Sequence, residues 1–440
     1  MKINYIYLDG YKNLRNLEIS FDTDSSVNAL IGNNGSGKSN VIEALTKVFI
    51  SIYTDSKVEF IYEIHYTIED NEVAISNRKE TVFTKNGNVV KKTERESLLP
   101  RSIFLYYCGE TDRLKRFVLD CHDKKFEKAL KNDGEIVSKY LSCAGLKEFS
   151  AALLANVIYG NSTYDKVCEL IGIYNIGGPV TLNLKRPSWS KSANITEESF
   201  WNAQGTVAML LHAIKDAGEL QIIDKNTAKI VVKTIKDLKL NAENPFDLFI
   251  RFELLIQADI LDSIDFAIVK DGVEITPNEL SEGEKQLALF LSLLEATKEY
   301  RALFLLDEFD SFLHPNWQRR FAEIIDGISI TGQVLFTTHS PLTLGKVRKE
   351  NIRILKEGKV YTPSVDTYNR DITEVLDEIM EVPKRPIEIE EIIKAFRNAA
   401  MHGKKEEAYR LLDDLKSSLS NEDPYWVTAE HLLARMERAK

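Results

Sequence analysis

Residues 32–39 read Gly-Asn-Asn-Gly-Ser-Gly-Lys-Ser, between an apolar strand predicted over Val27–Ile31 and a helix predicted over Asn40–Phe49. The G-x-x-x-x-G-K-[ST] spacing describes a loop that cradles phosphate. Gly32 and Gly37 let the backbone wrap an anion with no Cβ in the way. The N–H groups of Asn33, Asn34, Gly35 and Ser36, with the helix start at Asn40, point toward such an anion. Lys38 then reaches the β- and γ-phosphates of a nucleotide, and Ser39 offers its hydroxyl to Mg2+.

Three further stretches suit the same chemistry. The apolar run Ala302–Leu306 leads into Asp307-Glu308. A buried strand ending in adjacent carboxylates fits magnesium-nucleotide hydrolysis. The first acid holds the ion's water shell, and the second orients or deprotonates an attacking water. Residues 280–286 read Leu-Ser-Glu-Gly-Glu-Lys-Gln, ahead of an apolar helix over Leu287–Leu294. Ser281 is set to cap that helix, with Glu284 completing a capping box. The same cap exposes N–H groups around Gly283 to an anion. Residues 334–341, Val-Leu-Phe-Thr-Thr-His-Ser-Pro, end another strand in His339. Ligands gather at the carboxyl ends of strands in open α/β sheets, which makes this histidine a candidate for catalysis.

These residues need an α/β frame to meet. Residues 1–20 look like two short strands around Gly10-Tyr11-Lys12-Asn13, and Lys57–Glu69 with Glu72–Lys85 reads as a hairpin turned at Asp70-Asn71. Ser102–Tyr107 is a third apolar strand, ending at Cys108-Gly109-Glu110. A length of 440 residues predicts two to three domains, and 44% hydrophobic content is enough to give them cores. No apolar run reaches the roughly 18 residues of a membrane span. Met1–Tyr5 leads directly into a strand pattern, so no signal peptide is expected. Cys108, Cys121, Cys143 and Cys168 lack C-x-x-C spacing and read as free thiols in a reducing cytoplasm. A net charge of −10 argues against a nucleic-acid binder by bulk charge, leaving local basic faces open.

In this order, the phosphate loop, Leu280–Gln286, Asp307-Glu308 and Thr338-His339 resemble the Walker A, signature, Walker B and switch-histidine motifs of ABC-type ATPases. Asp310-Ser311-Phe312-Leu313-His314-Pro315 is similar to the D-loop of the soluble branch of that family, the SMC, RecF and OLD-like ATPases. Thr337-Thr338-His339-Ser340-Pro341 and Gly10-Tyr11-Lys12-Asn13-Leu14 look like the same branch and unlike membrane transporters. The resemblance covers residues 1–110 and 265–362. It implies an α/β P-loop ATPase head whose mixed sheet has an antiparallel N-terminal part. It also implies a head-to-head dimer, or a higher oligomer, in which ATP on one subunit is closed over by the signature motif of the other. On that pattern Lys38 and Ser39 hold phosphate and Mg2+, and Asp307 supports Mg2+. Glu308 is the general base and His339 reads the γ-phosphate. Ser281, Gly283 and Glu284 act in trans, and Asp310 lies at the dimer contact. The family usually has a glutamine after the third strand. Cys108-Gly109-Glu110 stands there instead, so Glu110 substitutes or the role is lost, which puts the hydrolysis rate in question.

Residues 111–264 form an insert between the two halves. Helical periodicity runs over Leu114–Leu130, Leu146–Val157 and Phe200–Ala217, with strand-like stretches at Val180–Lys185, Leu220–Asp224 and Ile230–Lys236. Without sustained heptads, a compact, mainly helical lid is expected in place of a coiled-coil arm. Trp189 and Trp201 read as core; the alternative, with Lys185-Arg186, is contact with a partner or nucleic acid. Residues 363–440 are charged and helical, and Ala395/Ala399 with Ala408/Leu412 fits a helical hairpin. Arg397 and His402 have the R-x4-H spacing of some small helical ribonucleases, a spacing that is also common on ordinary helix faces. With Arg370-Asp371-Ile372, Arg385-Pro386 and Asp423-Pro424, the tail resembles ATPases of prokaryotic anti-phage systems such as Septu, and more loosely those of PARIS and retrons.

That resemblance implies an ATPase that senses or regulates, with a separate effector nuclease of HNH or Toprim type bound through the insert or tail. Nucleic acid or a phage component is a further expected partner, and a membrane is not. No acidic cluster, H-N-H or PD-(D/E)xK pattern marks a nuclease within the chain. The rival reading is a RecF-like repair ATPase that binds DNA directly, against which the acidic balance weighs. The D-loop and tail sequences weigh against a transporter subunit.

Overall fold

The computed structural model describes residues 1–107, 140–143, 145–160, 168–192, 195–196, 198–328, 330–370 and 385–438, with Asp165 and Val375. The helix predicted over Leu114–Leu130 and the segment Cys108-Gly109-Glu110 lie outside these residues. The chain divides into two compact units, Met1–Asn369 and Arg370–Lys440.

An antiparallel sheet opens the first unit. It joins β1 (Lys2–Asp9), β2 (Leu17–Ser20), β4 (Ile61–Ile68), β5 (Asn71–Ser76), β6 (Val82–Lys85) and β7 (Asn88–Val89) in the order β2-β1-β4-β5-β6-β7. A second sheet carries the motifs. Its strands are β3 (Val27–Ile31), β8 (Ser102–Tyr107), β9 (Tyr140–Cys143), β15 (Ala302–Asp307), β16 (Gln333–Thr337), β17 (Ile352–Lys356) and β18 (Lys359–Tyr361), in the order β18-β17-β3-β16-β15-β8-β9. All neighbours are parallel except β17 and β18. Every residue of β3, β15 and β16 is buried. Continuous apolar runs of this kind belong to parallel strands covered on both faces.

Helix α1 (Lys38–Thr54) fills one face of the central sheet. Its Val41, Leu45, Val48 and Phe49 share a core with Leu303 and Leu305 below and with Ile6, Ile64 and Ile75 of the antiparallel sheet above. Buried Gln333 links the two sheets by bonding the backbone of Ile3 in both directions and the amide oxygen of Asn28 at 2.7 Å. The opposite face is aromatic. Phe304 stacks on Phe104 at 4.9 Å and meets Phe290 of α5 (Glu282–Thr297) edge-on. Phe321 of α6 (Pro315–Ile328) joins Phe290 to Phe336. Each such pair adds roughly 0.5–1.5 kcal/mol beyond its buried area, which fixes α5 on the sheet.

The insert departs from its expected helical character. It holds α2 (Phe149–Tyr159), α3 (Gly205–Ala217) and α4 (Pro245–Gln257). It also contributes most of a five-stranded antiparallel sheet of β10 (Ile173–Lys185), β11 (Glu219–Ile222), β12 (Thr227–Val232), β13 (Leu261–Lys270) and β14 (Val273–Ile275), in the order β11-β12-β10-β13-β14. Its buried residues alternate: Val180, Leu182 and Leu184 face inward with Ala228, Ile230 and Val232. The predicted strand at Val180 is the end of a longer one. Gly177, Gly178 and Pro179 sit at a register shift within β10, the kind of irregularity at which sheets tolerate glycine and proline. Strand β13 runs across the expected boundary at 264/265. Residues 363–369 also belong with the first unit, where Thr367 bonds the Val347 carbonyl and the Asn369 N–H donates to the Gly345 carbonyl at 2.9 Å. Trp201 is fully buried as expected, whereas Trp189, expected in the core, is 37% exposed and donates its indole N–H to the Ala258 carbonyl at 2.7 Å. Lys185 pairs with Asp259 and Asp262.

The second unit is built from α7 (Ile387–Met401), α8 (Lys405–Ser418) and α9 (Tyr425–Arg438). Phe396, Ala399, Ala408, Leu415, Tyr425 and Ala429 form its core. Arg385 binds both oxygens of Asp423 at 2.7 Å and thereby joins the start of α7 to the turn before α9. The His402 ring is bonded to the Asn398 carbonyl at 2.8 Å, which gives it a capping role at the end of α7. Among the described residues no helix is long and apolar enough to cross a membrane.

Candidate active site

The strand order creates the site. β16 lies between β3 and β15, and the three run parallel. Their carboxyl ends therefore share one edge: the phosphate loop after β3, Asp307-Glu308 at the end of β15, and Thr338-His339 after β16.

The loop has the conformation its sequence demands. Gly32 has φ of +147°, and a Cβ there would run into the Leu355 carbonyl of β17. The side chain of Asn13 clamps the loop from outside: its amide donates to the Gly35 carbonyl at 2.9 Å and accepts from Asn40 at 2.7 Å. Asn33, Asn34 and Gly35 are exposed at the loop tip. The Ser36 hydroxyl is buried and has no hydrogen-bond partner among the described residues. Lys38 is 4% exposed and donates to the carbonyls of Gly32 at 2.8 Å and Asn33 at 3.3 Å. Burial pulls its ammonium below the usual lysine range, opposed by Glu308 and Asp307.

Asp307 is the meeting point. Its Oδ1 accepts from the Ser39 hydroxyl at 3.0 Å and from the Thr337 hydroxyl at 2.6 Å. Burial raises its carboxyl above the ordinary range, and those two hydrogen bonds work the other way. Glu308 has φ of +51° and ψ of +36°. The left-handed region costs a non-glycine residue roughly 1–2 kcal/mol, so the surroundings must hold it there. Its N–H donates to the Thr337 hydroxyl oxygen at 3.0 Å. The Glu308 carboxylate is half-exposed, with His339 Nε2 3.8 Å away. That distance is too long for a direct hydrogen bond. Burial, then Lys38, lowers the His339 pKa against the pull of the three acids nearby, which favours the neutral ring.

Asp310, expected at a dimer contact, is buried within its own chain. Its side chain is 4% exposed and accepts from Thr338 and Thr343, so its charge faces the interior. Burial raises its pKa, against those hydrogen bonds. Ser281 caps α5 and forms the capping box with Glu284, which also pairs with Lys270. A Cβ on Gly283 would strike the Phe312 carbonyl, so only glycine lets the segment after β15 lie against the start of α5. Among the described residues no hydrogen bond joins Ser281 or Gly283 to residues 32–40 of the same chain. Asn13 and Thr337 were not singled out from sequence as site residues. The signal for Thr337 was a hydroxyl at the end of a fully buried apolar strand.

The residues fit a nucleoside triphosphate. The Gly32 contact leaves no room for a side chain in the cradle, Ser36 carries an unspent hydroxyl, and Lys38 holds a buried ammonium at its mouth. Residues 1–166 match the family model of the AAA ATPase domain, and residues 154–345 match one described as "AAA domain, putative AbiEii toxin, Type IV TA system". The chain carries an AAA ATPase domain. ATP binding follows from that family. The chain is 23% identical over 473 aligned residues to "Retron Vc95 probable ATPase" of Vibrio cholerae serotype O1 biovar El Tor, covering 92% of this chain and 85% of the relative. It is 33% identical over 93 residues to "Septu protein PtuA" of Bacillus thuringiensis, covering 18% of this chain and 24% of that one. An SMC head domain from Thermotoga maritima is similar at 17% identity over 83% of this chain and 100% of that chain, with a TM-score of 0.37. The placement of this ATPase domain in the α/β P-loop class rests on the strand order and loop geometry above.

Proposed function

We propose that the chain is the ATP-binding and ATP-hydrolysing subunit of a prokaryotic anti-phage defence complex, and that it controls a separate effector nuclease through ATP-dependent head-to-head dimerisation. The carrying observation is Asp307, which brings the Ser39 hydroxyl of the phosphate loop and the end of the His339 strand to one carboxylate oxygen. The likeness to retron and Septu proteins supports the defence setting.

In this reading Lys38 and the loop N–H groups hold the phosphates, and Ser39 and Asp307 would hold Mg2+. The ion supplies charge neutralisation at the phosphates. Glu308 takes the proton of a water whose oxygen bonds the γ-phosphorus as the bond to the bridging oxygen breaks and ADP leaves. Neutral His339 donates to a γ-phosphate oxygen. Ser281 and Gly283 at the start of α5 meet the γ-phosphate of the partner subunit.

The test is Glu308→Gln, purified with ATP and Mg2+ beside its chromosomal neighbours and weighed by native mass spectrometry. It is expected to bind ATP, turn over ~10^2–10^4-fold more slowly and hold a dimer with a stoichiometric nuclease. A normal rate removes Glu308 as the base. A bare dimer that carries only DNA replaces defence with DNA repair.

A further inference from the structure

Thr337 is fully buried at the end of β16, and its hydroxyl makes two bonds of opposite sense. It accepts the N–H of Glu308 at 3.0 Å and donates to Asp307 Oδ1 at 2.6 Å. A hydroxyl has a single proton, so the two partners fix its direction. The N–H it accepts belongs to the residue held at φ of +51°. Thr338 then sends its own hydroxyl to Asp310, and Thr343 does the same. Two consecutive threonines thus fasten the end of β16 to the segment 307–310, and His339 is the next residue along.

We propose that Thr337 is a positioning residue for ATP hydrolysis. Its hydroxyl holds Glu308 in the left-handed conformation that sets the direction of its carboxylate, and it gears that conformation to the strand carrying His339. The inference rests on the ATPase reading above. Valine has nearly the shape of threonine but can neither accept the Glu308 N–H nor donate to Asp307. Glu308 is then released toward an ordinary φ and its carboxylate swings away. The loop from Gly32 to Ser39, which binds the phosphates, keeps its own contacts.

The experiment compares Thr337→Val, Thr337→Ser and the double variant Thr337→Val/Glu308→Gln. Steady-state hydrolysis is read beside ATP affinity in EDTA, so binding is measured apart from the ion and from turnover. Thr337→Val is expected to lose roughly 10–100-fold in kcat, the scale of an ångström of misplacement, while KM and ATP affinity stay within about twofold. Thr337→Ser, which keeps the hydroxyl, is expected to recover most of the rate. In the Glu308→Gln background the valine is expected to cost nothing further, because both changes remove the same contribution. A Thr337→Val protein at the wild-type rate overturns the proposal. So does parallel loss of kcat and ATP affinity, failure of serine to rescue, or additivity with Glu308→Gln. If the valine protein does not fold, Thr337→Ala is judged by the same outcomes. A wild-type chain that binds ATP but hydrolyses none overturns the ATPase reading and takes this proposal with it, an outcome distinct from a working wild type matched by its valine variant.

Discussion

Replacing Lys38 by methionine separates the cost of a buried charge from its use. The ammonium is 4% exposed and bonded to two carbonyls of its own loop. Its pKa lies below the free lysine value because of burial. A group with a depressed pKa binds fewer protons folded than unfolded. Its stability contribution is present above the unfolded pKa, near 10.4, and is lost as pH falls through the folded value. Below the unfolded pKa the folded chain therefore carries a cost for the buried Lys38 that the unfolded chain does not. Methionine keeps most of the stem and removes that cost, so the melting temperature without ATP should hold or rise. ATP binding should move the other way. A hydrogen bond to a charged group contributes about 1.5–3 kcal/mol, so its loss weakens ATP binding roughly 10- to 150-fold. With ATP at about 100 times the wild-type Kd, the wild type gains about 2.7 kcal/mol of stability. The variant gains about 1.4 kcal/mol after a tenfold loss and about 0.4 kcal/mol after a hundredfold loss. Thermal melts with and without ATP read both effects in one experiment. An unchanged ATP-induced shift would refute the phosphate role, and a lower melting temperature without ATP would refute the cost of burial.

Two further substitutions test the frame around the site. Gly32→Ala places a Cβ against the Leu355 carbonyl at a φ of +147°, whereas Gly35→Ala, at φ of +79°, meets nothing within 4 Å. Denaturant unfolding and ATP affinity should both fall much further for Gly32→Ala; equal losses at the two positions would contradict the cradle geometry. Glu253 of α4 is fully buried and accepts from Ser142 at 2.6 Å, and its second oxygen has no hydrogen-bond partner among the described residues. Burial drives its pKa well up, so its contribution is complete below about pH 4.5 and declines as pH rises toward the folded pKa, by about 1.4 kcal/mol per unit. Glu253→Gln should therefore be more stable than wild type at pH 8, with a margin that shrinks on acidification; a pH-independent difference would mean the carboxylate is charged in the folded chain.

How much of this was legible in the sequence depended on how local the cause was. β3 and β8 were predicted with their observed ends, Val27–Ile31 and Ser102–Tyr107, because strands buried on both faces read as unbroken apolar runs. The helix after the phosphate loop begins at Lys38, two residues before its predicted start, since the loop lysine and serine form its first turn. The insert misled because its longest strand is interrupted by Gly177-Gly178-Pro179, where glycine and proline normally announce a turn. The Ser281–Glu284 capping box needs only four consecutive residues, and it formed as expected. Asn13 and the inward turn of Asp310 had no local signature, and the hydroxyl ending the apolar strand at Thr337 did not say what it would bond. Each depends on which strands lie side by side.

The inward turn of Asp310 changes where communication at this site runs. Asp310 is the buried end of a within-chain latch to Thr338 and Thr343, while Thr337 ties the same strand end to Asp307 and Glu308. Bonding on both sides of His339 leaves it little freedom to move alone. Under the proposed function, a pull on the ring by a γ-phosphate would act on Glu308 through one hydroxyl and on the segment 310–313 through another. That segment runs past Gly283 at the start of α5, where its Phe312 carbonyl fills the space a side chain would take. The contacts form a continuous path from His339 to the helix start that carries Ser281. In the proposed dimer, recognition of the phosphate by one chain would reach the surface offered to the second along this path.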